Sequence, residues 1–274
     1  MSSGTEASTT TRPATPAGAG KAQQRARRIV RPIANRLWHF HLEGFDRLPA
    51  TGPAILCPNH VSFLDSAFLM LQVPRNISFV GKAEYMDSWK TKFLFPMMGM
   101  IPIDRSGGEK SQAALDAAEA VLRRGELFGI FPEGTRSRDG YLYKGRTGAA
   151  RLALKVGCPI FPVGVTGTRE IQPPDAKAPK LWKDCAIRIG RPIDVARYRS
   201  RADDHRILRQ ITDELMFEIR ELTGQEYRNV YAGKTAETEP TVVAKVAHLG
   251  EPSANGSGAV VDGAAALAGS TPAA

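Results

Sequence analysis

From about residue 54 onward, short apolar runs alternate with longer stretches of helical period, and no other feature restricts the fold as much. Parallel strands need crossover connections, so repeated strand–helix alternation predicts an α/β domain with a mostly parallel central sheet flanked by helices. The runs at 54–57, 77–80, 127–131, 160–165 and 186–189 are read as strands. The stretches 63–72, 109–124, 146–156 and 204–222 are read as helices. In the second of these, Ala114, Ala117, Ala118, Val121 and Leu122 carry the apolar positions, and Arg123 and Arg124 suit the negative helix end before Gly125. The apolar segment 93–103 is too short to span a bilayer and reads as buried core, as an acyl-chain groove, or as a dip into a membrane.

Composition sets the boundaries. Residues 1–20 are nearly all Ser, Thr, Ala, Pro and Gly, and residues 232–274 are rich in Ala, Gly, Thr, Ser and Pro without an aromatic, so both are expected to be disordered tails. Between them lie a basic amphipathic helix at 21–37 and a folded domain at 38–231. The formal net charge of +9 is concentrated: residues 21–47 set seven basic side chains against Glu43 and Asp46, and residues 176–209 set ten against four acids. Such patches suit polyanions, namely anionic headgroups or phosphate-bearing substrates. Nucleic acid is not expected, because the basic residues lack an interleaved stacking platform and no nucleic-acid-binding motif is present. In 21–37, Ile29, Val30, Ile33 and Leu37 recur at one-turn spacings among arginines, with Pro32 interrupting and Trp38 and Phe40 following. Residues 21–40 therefore read either as an anchor on an anionic membrane surface or as an arm packed on its own domain.

No run of eighteen apolar residues and no secretory signal is found, so the expected location is cytoplasmic; an anchor at residues 21–40 would make it peripheral, on the inner face of the cell membrane. Cys57, Cys158 and Cys185 form no paired pattern, which predicts reduced packing residues and no zinc site.

Two motifs carry chemistry. In Asn59-His60-Val61-Ser62-Phe63-Leu64-Asp65, a strand ends at Pro58 and a helix begins, the place where ligands collect in parallel sheets. Ser62 suits a helix N-cap and Asp65 the answering carboxylate of a capping box, a placement that also lets Asp65 orient a nearby imidazole. A general base near neutral pH needs a group of pKa about 6 to 7, which makes His60 the base. No Gly-x-Ser-x-Gly surrounds Ser62, and Cys57 lies in an apolar strand, so direct attack by a substrate hydroxyl is expected over a covalent intermediate. His41 and Asp46 repeat the spacing of His60 and Asp65, but in a turn-like stretch around Gly44 with no helix start, and are taken as coincidence. In Phe131-Pro132-Glu133-Gly134-Thr135-Arg136-Ser137, a turn offers backbone N–H groups and the Arg136 fork to a phosphate, while Glu133 orients a substrate hydroxyl or holds Arg136.

These motifs, with Gly99-Met100-Ile101-Pro102-Ile103-Asp104-Arg105 and Cys158-Pro159-Ile160-Phe161-Pro162-Val163, resemble in order the four sequence blocks of the glycerolipid acyltransferases, the 1-acyl-glycerol-3-phosphate acyltransferase branch in particular. The resemblance spans roughly residues 38–225. It implies a glycerol-3-phosphate acyltransferase-like fold and acyl transfer from acyl-CoA or acyl carrier protein to a lysophospholipid hydroxyl, with neither cofactor nor metal. His60 then looks like the base, Asp65 its partner, and Lys82 the oxyanion stabiliser. Arg105, Glu133, Gly134, Thr135, Arg136 and Lys144 look like the acceptor-phosphate and glycerol pocket; Pro162 of the fourth block, with Phe95 and Met98 of the apolar segment, is expected to line the acyl groove or pocket. The acceptor most expected is 1-acylglycerol 3-phosphate; glycerol 3-phosphate, a lyso-ornithine lipid, a glycosylated phosphatidylinositol and a non-catalytic membrane-binding role are the alternatives.

Overall fold

The computed structural model describes residues 19–82, 99–103, 110–174, 176 and 178–233. Helix α1 (Ala19–Leu37) leads into strand β1 (His39–Glu43), then β2 (Ala54–Pro58), α2 (Leu64–Gln72), β3 (Ile77–Lys82), β4 (Met100–Ile103), α3 (Lys110–Arg123) and β5 (Leu127–Gly129). There follow β6 (Leu142–Tyr143), α4 (Gly148–Val156), β7 (Ile160–Thr166), the single turn α5 (Thr168–Ile171), β8 (Asp184–Ile189), α6 (His205–Thr223) and β9 (Tyr227–Arg228).

Seven strands form one sheet in the order β1-β8-β7-β2-β5-β3-β4. The run β7-β2-β5-β3-β4 is parallel throughout, and only the β7–β8 pair is antiparallel, so the sheet is mostly parallel. Alternation along β2 shows why both faces need cover. Ile55 and Cys57 join Val121, Leu122, Leu152, Leu208 and Leu215 of α3, α4 and α6 on one side. Ala54 and Leu56 join Phe68, Leu69 and Met70 of α2 on the other. Asp204 caps α6 by accepting from Arg206 N, and Gly224 in the left-handed region ends it.

Several boundaries differ from the sequence reading. Helix α1 begins at Ala19, two residues earlier, and buried Ala232 extends the folded region past 231. The residues 1–18 and 234–274, which hold most of both expected tails, lie outside the described residues. The stretch expected to be turn-like around His41 contains an edge strand, because β1 pairs with β8 from His39↔Asp184 to Glu43↔Arg188. Strand β5 stops at Gly129, short of Phe131, because Phe131 turns aside to stack on His60.

Trp38 and Phe40 are partly buried against the domain. Their rings lie 5.2 and 5.0 Å from that of Phe68, within the apolar layer over α2. Helix α1 packs on the domain through polar groups. Gln23 exchanges hydrogen bonds with the Ile77 backbone at 2.9 and 3.1 Å, and the Arg27 guanidinium donates to Pro74 O and Arg75 O, both at 2.8 Å. Burial lowers the Arg27 pKa from its ordinary value. Ile29, Val30 and Ile33 are left exposed.

Candidate active site

Strand β2 runs buried to Pro58, and the chain then folds back into α2. That turn brings His60 Nδ1 to 2.9 Å from Asp65 Oδ2. The same oxygen accepts the Val61 and Ser62 backbone N–H groups, each at 2.8 Å, and Oδ1 accepts the Thr168 hydroxyl at 2.6 Å. Asp65 is fully buried, so four donors stand in for water around its carboxylate. An acceptor already holding two amides fixes the proton on Nδ1 of His60 and leaves Nε2 to meet a ligand. The ring is about one-sixth exposed and stacks on Phe131, centroids 3.7 Å apart. The expected capping box is half realised: Asp65 takes the Ser62 N–H, but Ser62 Oγ accepts from Leu64 N at 3.3 Å, and the helix cap falls on Phe63.

The neighbours of this pair hold it in place. Asn59 matches the Val165 backbone in both directions, at 2.9 and 2.8 Å, and so ties the end of β2 to β7. Glu133 is almost fully buried; its two oxygens accept His60 N at 2.9 Å and Tyr143 N at 3.0 Å. Both roles expected of Glu133, holding Arg136 or orienting a hydroxyl, therefore give way to one that clamps the backbone beneath the imidazole. Burial pushes its carboxyl up to about 8, against the pull of the two N–H donors.

The Glu133–Ser137 turn also serves the fold before any ligand. Gly134 sits at φ 79 and donates its N–H to Phe131 O, and Ser137 donates to His60 O at 2.7 Å. Two of the amides expected to face an anion are thereby spent. Arg136 lines a pocket together with Val61, Ser62, Phe63, Arg138 and Gln172. Thr135 is half-buried in the same turn. Arg146 lies against Gly134, and Arg146 and Lys144 both approach the Tyr231 ring, 5.3 and 5.6 Å from its centroid.

Pro162 is buried inside β7 with its ring against Gly190, so its place is in the sheet and not among the residues of that pocket. Lys82 ends β3 with its side chain outside the described residues, and Phe95, Met98 and Arg105 lie wholly outside them. Cys57, Cys158 and Cys185 are buried free thiols; burial pushes the latter two up to about 12 and Cys57 well above its usual range, which disqualifies them as nucleophiles at neutral pH. Among the described residues, no cluster of three or more His, Cys, Asp or Glu could hold a metal ion.

Thr168 and Arg146 escaped the sequence reading. Thr168 stands 103 positions from Asp65, and nothing in their spacing links them. Arg146 follows Lys144 closely enough that a search for basic residues near the turn would have found it.

The family model described as Acyltransferase matches residues 39–166. The chain is 30% identical over 163 residues to the chloroplastic 1-acyl-sn-glycerol-3-phosphate acyltransferase of Brassica napus, covering 59% of this chain and 46% of that one. Against the chloroplastic enzyme of the same description from Arabidopsis thaliana the identity is 29%, covering 57% and 44%. The chain thus spans a little under half the length of these relatives. The crystal structure of the 1-acyl-sn-glycerophosphate acyltransferase of Thermotoga maritima shares the fold, with a TM-score of 0.58 at 22% identity, covering 74% of this chain and 81% of that one. Over residues 39–166 the chain is thus similar to the Acyltransferase family model and to 1-acyl-sn-glycerol-3-phosphate acyltransferases, with which it shares the motifs of the His60 and Glu133 segments.

Proposed function

We propose that this protein moves a fatty acyl group from acyl-CoA or acyl carrier protein to the free hydroxyl of 1-acylglycerol 3-phosphate, as a step of phospholipid synthesis. The observation that carries this reading is the 2.9 Å contact of His60 Nδ1 with buried Asp65; it is supported by Val61 and Ser62, the residues after His60, lining a pocket together with Arg136. The acceptor's phosphate pairs with Arg136, which presents a fork of donors to it. Its hydroxyl gives a proton to His60 Nε2 as the oxygen attacks the thioester carbonyl, forming the new C–O bond and a tetrahedral oxyanion. Lys82 or backbone N–H groups hold that oxyanion. The C–S bond then breaks and the imidazolium returns its proton to the departing thiolate. By the resemblance of their segments, Arg105 and Lys144 are assigned to the acceptor's phosphate, and Phe95 and Met98, in the apolar segment 93–103, to the acyl chain.

The protein works on the inner face of the cell membrane in this reading, held there from outside the bilayer. None of the helices among the described residues is long and apolar enough to cross a membrane, and α1 turns Ile29, Val30 and Ile33 outward beside its arginines.

A panel of acceptors with one acyl thioester tests the assignment. Thiol release that depends on 1-acylglycerol 3-phosphate, with acyl recovered on that lipid, is the expected result. Equal thiol release without acceptor would make the protein a thioesterase, and saturable transfer only to a phosphate-free acceptor would replace the proposed one.

A further inference from the structure

The second basic stretch, residues 176–209, has no part in the chemistry above, yet it contains the most exposed aromatic side chain among the exposed large apolar residues described. Trp182 is 59% exposed and Leu181 44%, with exposed Lys180 and Lys183 on either side. Trp182 is also the one non-glycine residue with positive φ, at 57°, among the described residues. A bulky side chain adopts that conformation only when its surroundings impose it. Here the surroundings are the end of α1: Trp182 N–H donates to Leu37 O at 2.8 Å, Trp38 Nε1 donates to Lys180 O at 2.8 Å, and His39 N donates to Lys183 O at 3.0 Å. The loop is thus pinned by its backbone while its two large apolar side chains face outward.

Leu37, the anchoring residue, follows Ile33 by one helical turn, so the loop joins the end of the stripe that α1 leaves open, where Ile29 is 66% and Ile33 55% exposed. No acid occurs in the nineteen residues of α1. The nearest acid to the loop, Asp184, faces His39 and His41 at 3.7 and 3.3 Å.

We propose that the Lys180–Lys183 loop and the outer stripe of α1 form one docking surface for a bilayer containing anionic lipid, with Trp182 as its interfacial anchor. An indole with lysines around it matches the boundary between headgroups and acyl chains, where the ring enters and the ammonium groups stay at the phosphates. The absence of acids from α1 and the paired lysines give the charge complementarity that selects an anionic surface. Only the choice of a lipid partner rests on the acyl-transfer reading, and vesicle binding is measured with no acyl donor present, so either reading fails without the other.

The test is sedimentation of the full chain with vesicles of phosphatidylcholine alone or mixed with phosphatidylglycerol, for the wild type, Trp182→Gly and Leu181→Ser. Glycine accepts φ 57° without strain, so Trp182→Gly should retain the wild-type melting temperature while its partition to mixed vesicles falls about tenfold. Leu181→Ser should weaken binding less, and added salt should weaken it for all three. Wild-type partition in Trp182→Gly would overturn the proposal. So would equal binding of the wild type to neutral and anionic vesicles, or no vesicle binding by a chain that instead self-associates through this loop.

Discussion

The chain contains a histidine followed five residues later by an aspartate twice, and the two copies have opposite fates. At the end of β2 the backbone turns into a helix, and Asp65 comes back to within 2.9 Å of the His60 ring in a nearly dry setting. At the sheet edge His41 lies in extended β1, where each residue advances about 3.3 Å, and exposed Asp46 falls in the short 3-10 turn Phe45–Arg47. His41 meets Asp184 of the neighbouring strand instead, at 3.3 Å on an exposed surface. Spacing alone therefore makes no pair. A strand-to-helix turn does, because it converts five residues of separation into a contact and supplies amide donors to the acid.

The difference between the pairs can be attacked residue by residue. Asp65→Asn replaces an acceptor of four donors with a carboxamide that must turn an NH2 toward one of them. Acyl transfer to 1-acylglycerol 3-phosphate is expected to fall by about a hundredfold to ten-thousandfold, read as kcat, whereas Asp184→Asn leaves it unchanged.

Glu133 supports only the inner pair, and its effect is linked to pH. Its carboxyl sits at about 8 in the folded protein against 4.5 as the ordinary value. Below 4.5 both folded and unfolded chains hold the proton. Between 4.5 and 8 the folded chain still holds it and the unfolded chain has lost it, so stability falls as pH rises through this window and levels off above 8. Urea unfolding at pH 5 and pH 8 should show the wild type losing on the order of 4 kcal/mol more than Glu133→Gln over that interval. Equal losses would mean that Glu133 is ionised throughout.

Thr168→Val removes one of the four donors and keeps the shape. The expected outcome is a roughly tenfold drop in kcat with KM for the acceptor unchanged, and recovery in Thr168→Ser. A purely packing role would give the opposite order, with Val tolerated and Ser not. The smallest effect belongs to the outer pair: His41→Ala should change unfolding free energy by less than about 0.5 kcal/mol, as for other exposed pairs.

Much of this was legible in the sequence for reasons the comparison makes plain. Helices α2, α3, α4 and α6 announce themselves through local periodicity, and β2 and β7 through apolar runs buried on both faces. Strand β1 did not, since His39-Phe40-His41-Leu42-Glu43 is a mostly exposed edge whose pairing partner lies 145 residues away. The His60–Asp65 contact is local and was legible. The clamp from Glu133, the strut from Asn59 to Val165 and the Thr168 hydroxyl depend on strand order, which spacing along one chain does not encode. The outward turn of Ile29 and Ile33 follows the same rule: α1 buries Gln23 and Arg27 because backbone carbonyls of β3 and the α2–β3 loop await them there, and residue polarity alone predicts the reverse.

The central claim is that the His60 imidazole, oriented by Asp65, removes the acceptor's proton. Steady-state acyl transfer by His60→Ala tests it most directly: the account predicts a kcat lowered by about two to four orders of magnitude with the KM for 1-acylglycerol 3-phosphate nearly kept. A variant that turns over at the wild-type rate, folded and saturable, would contradict it.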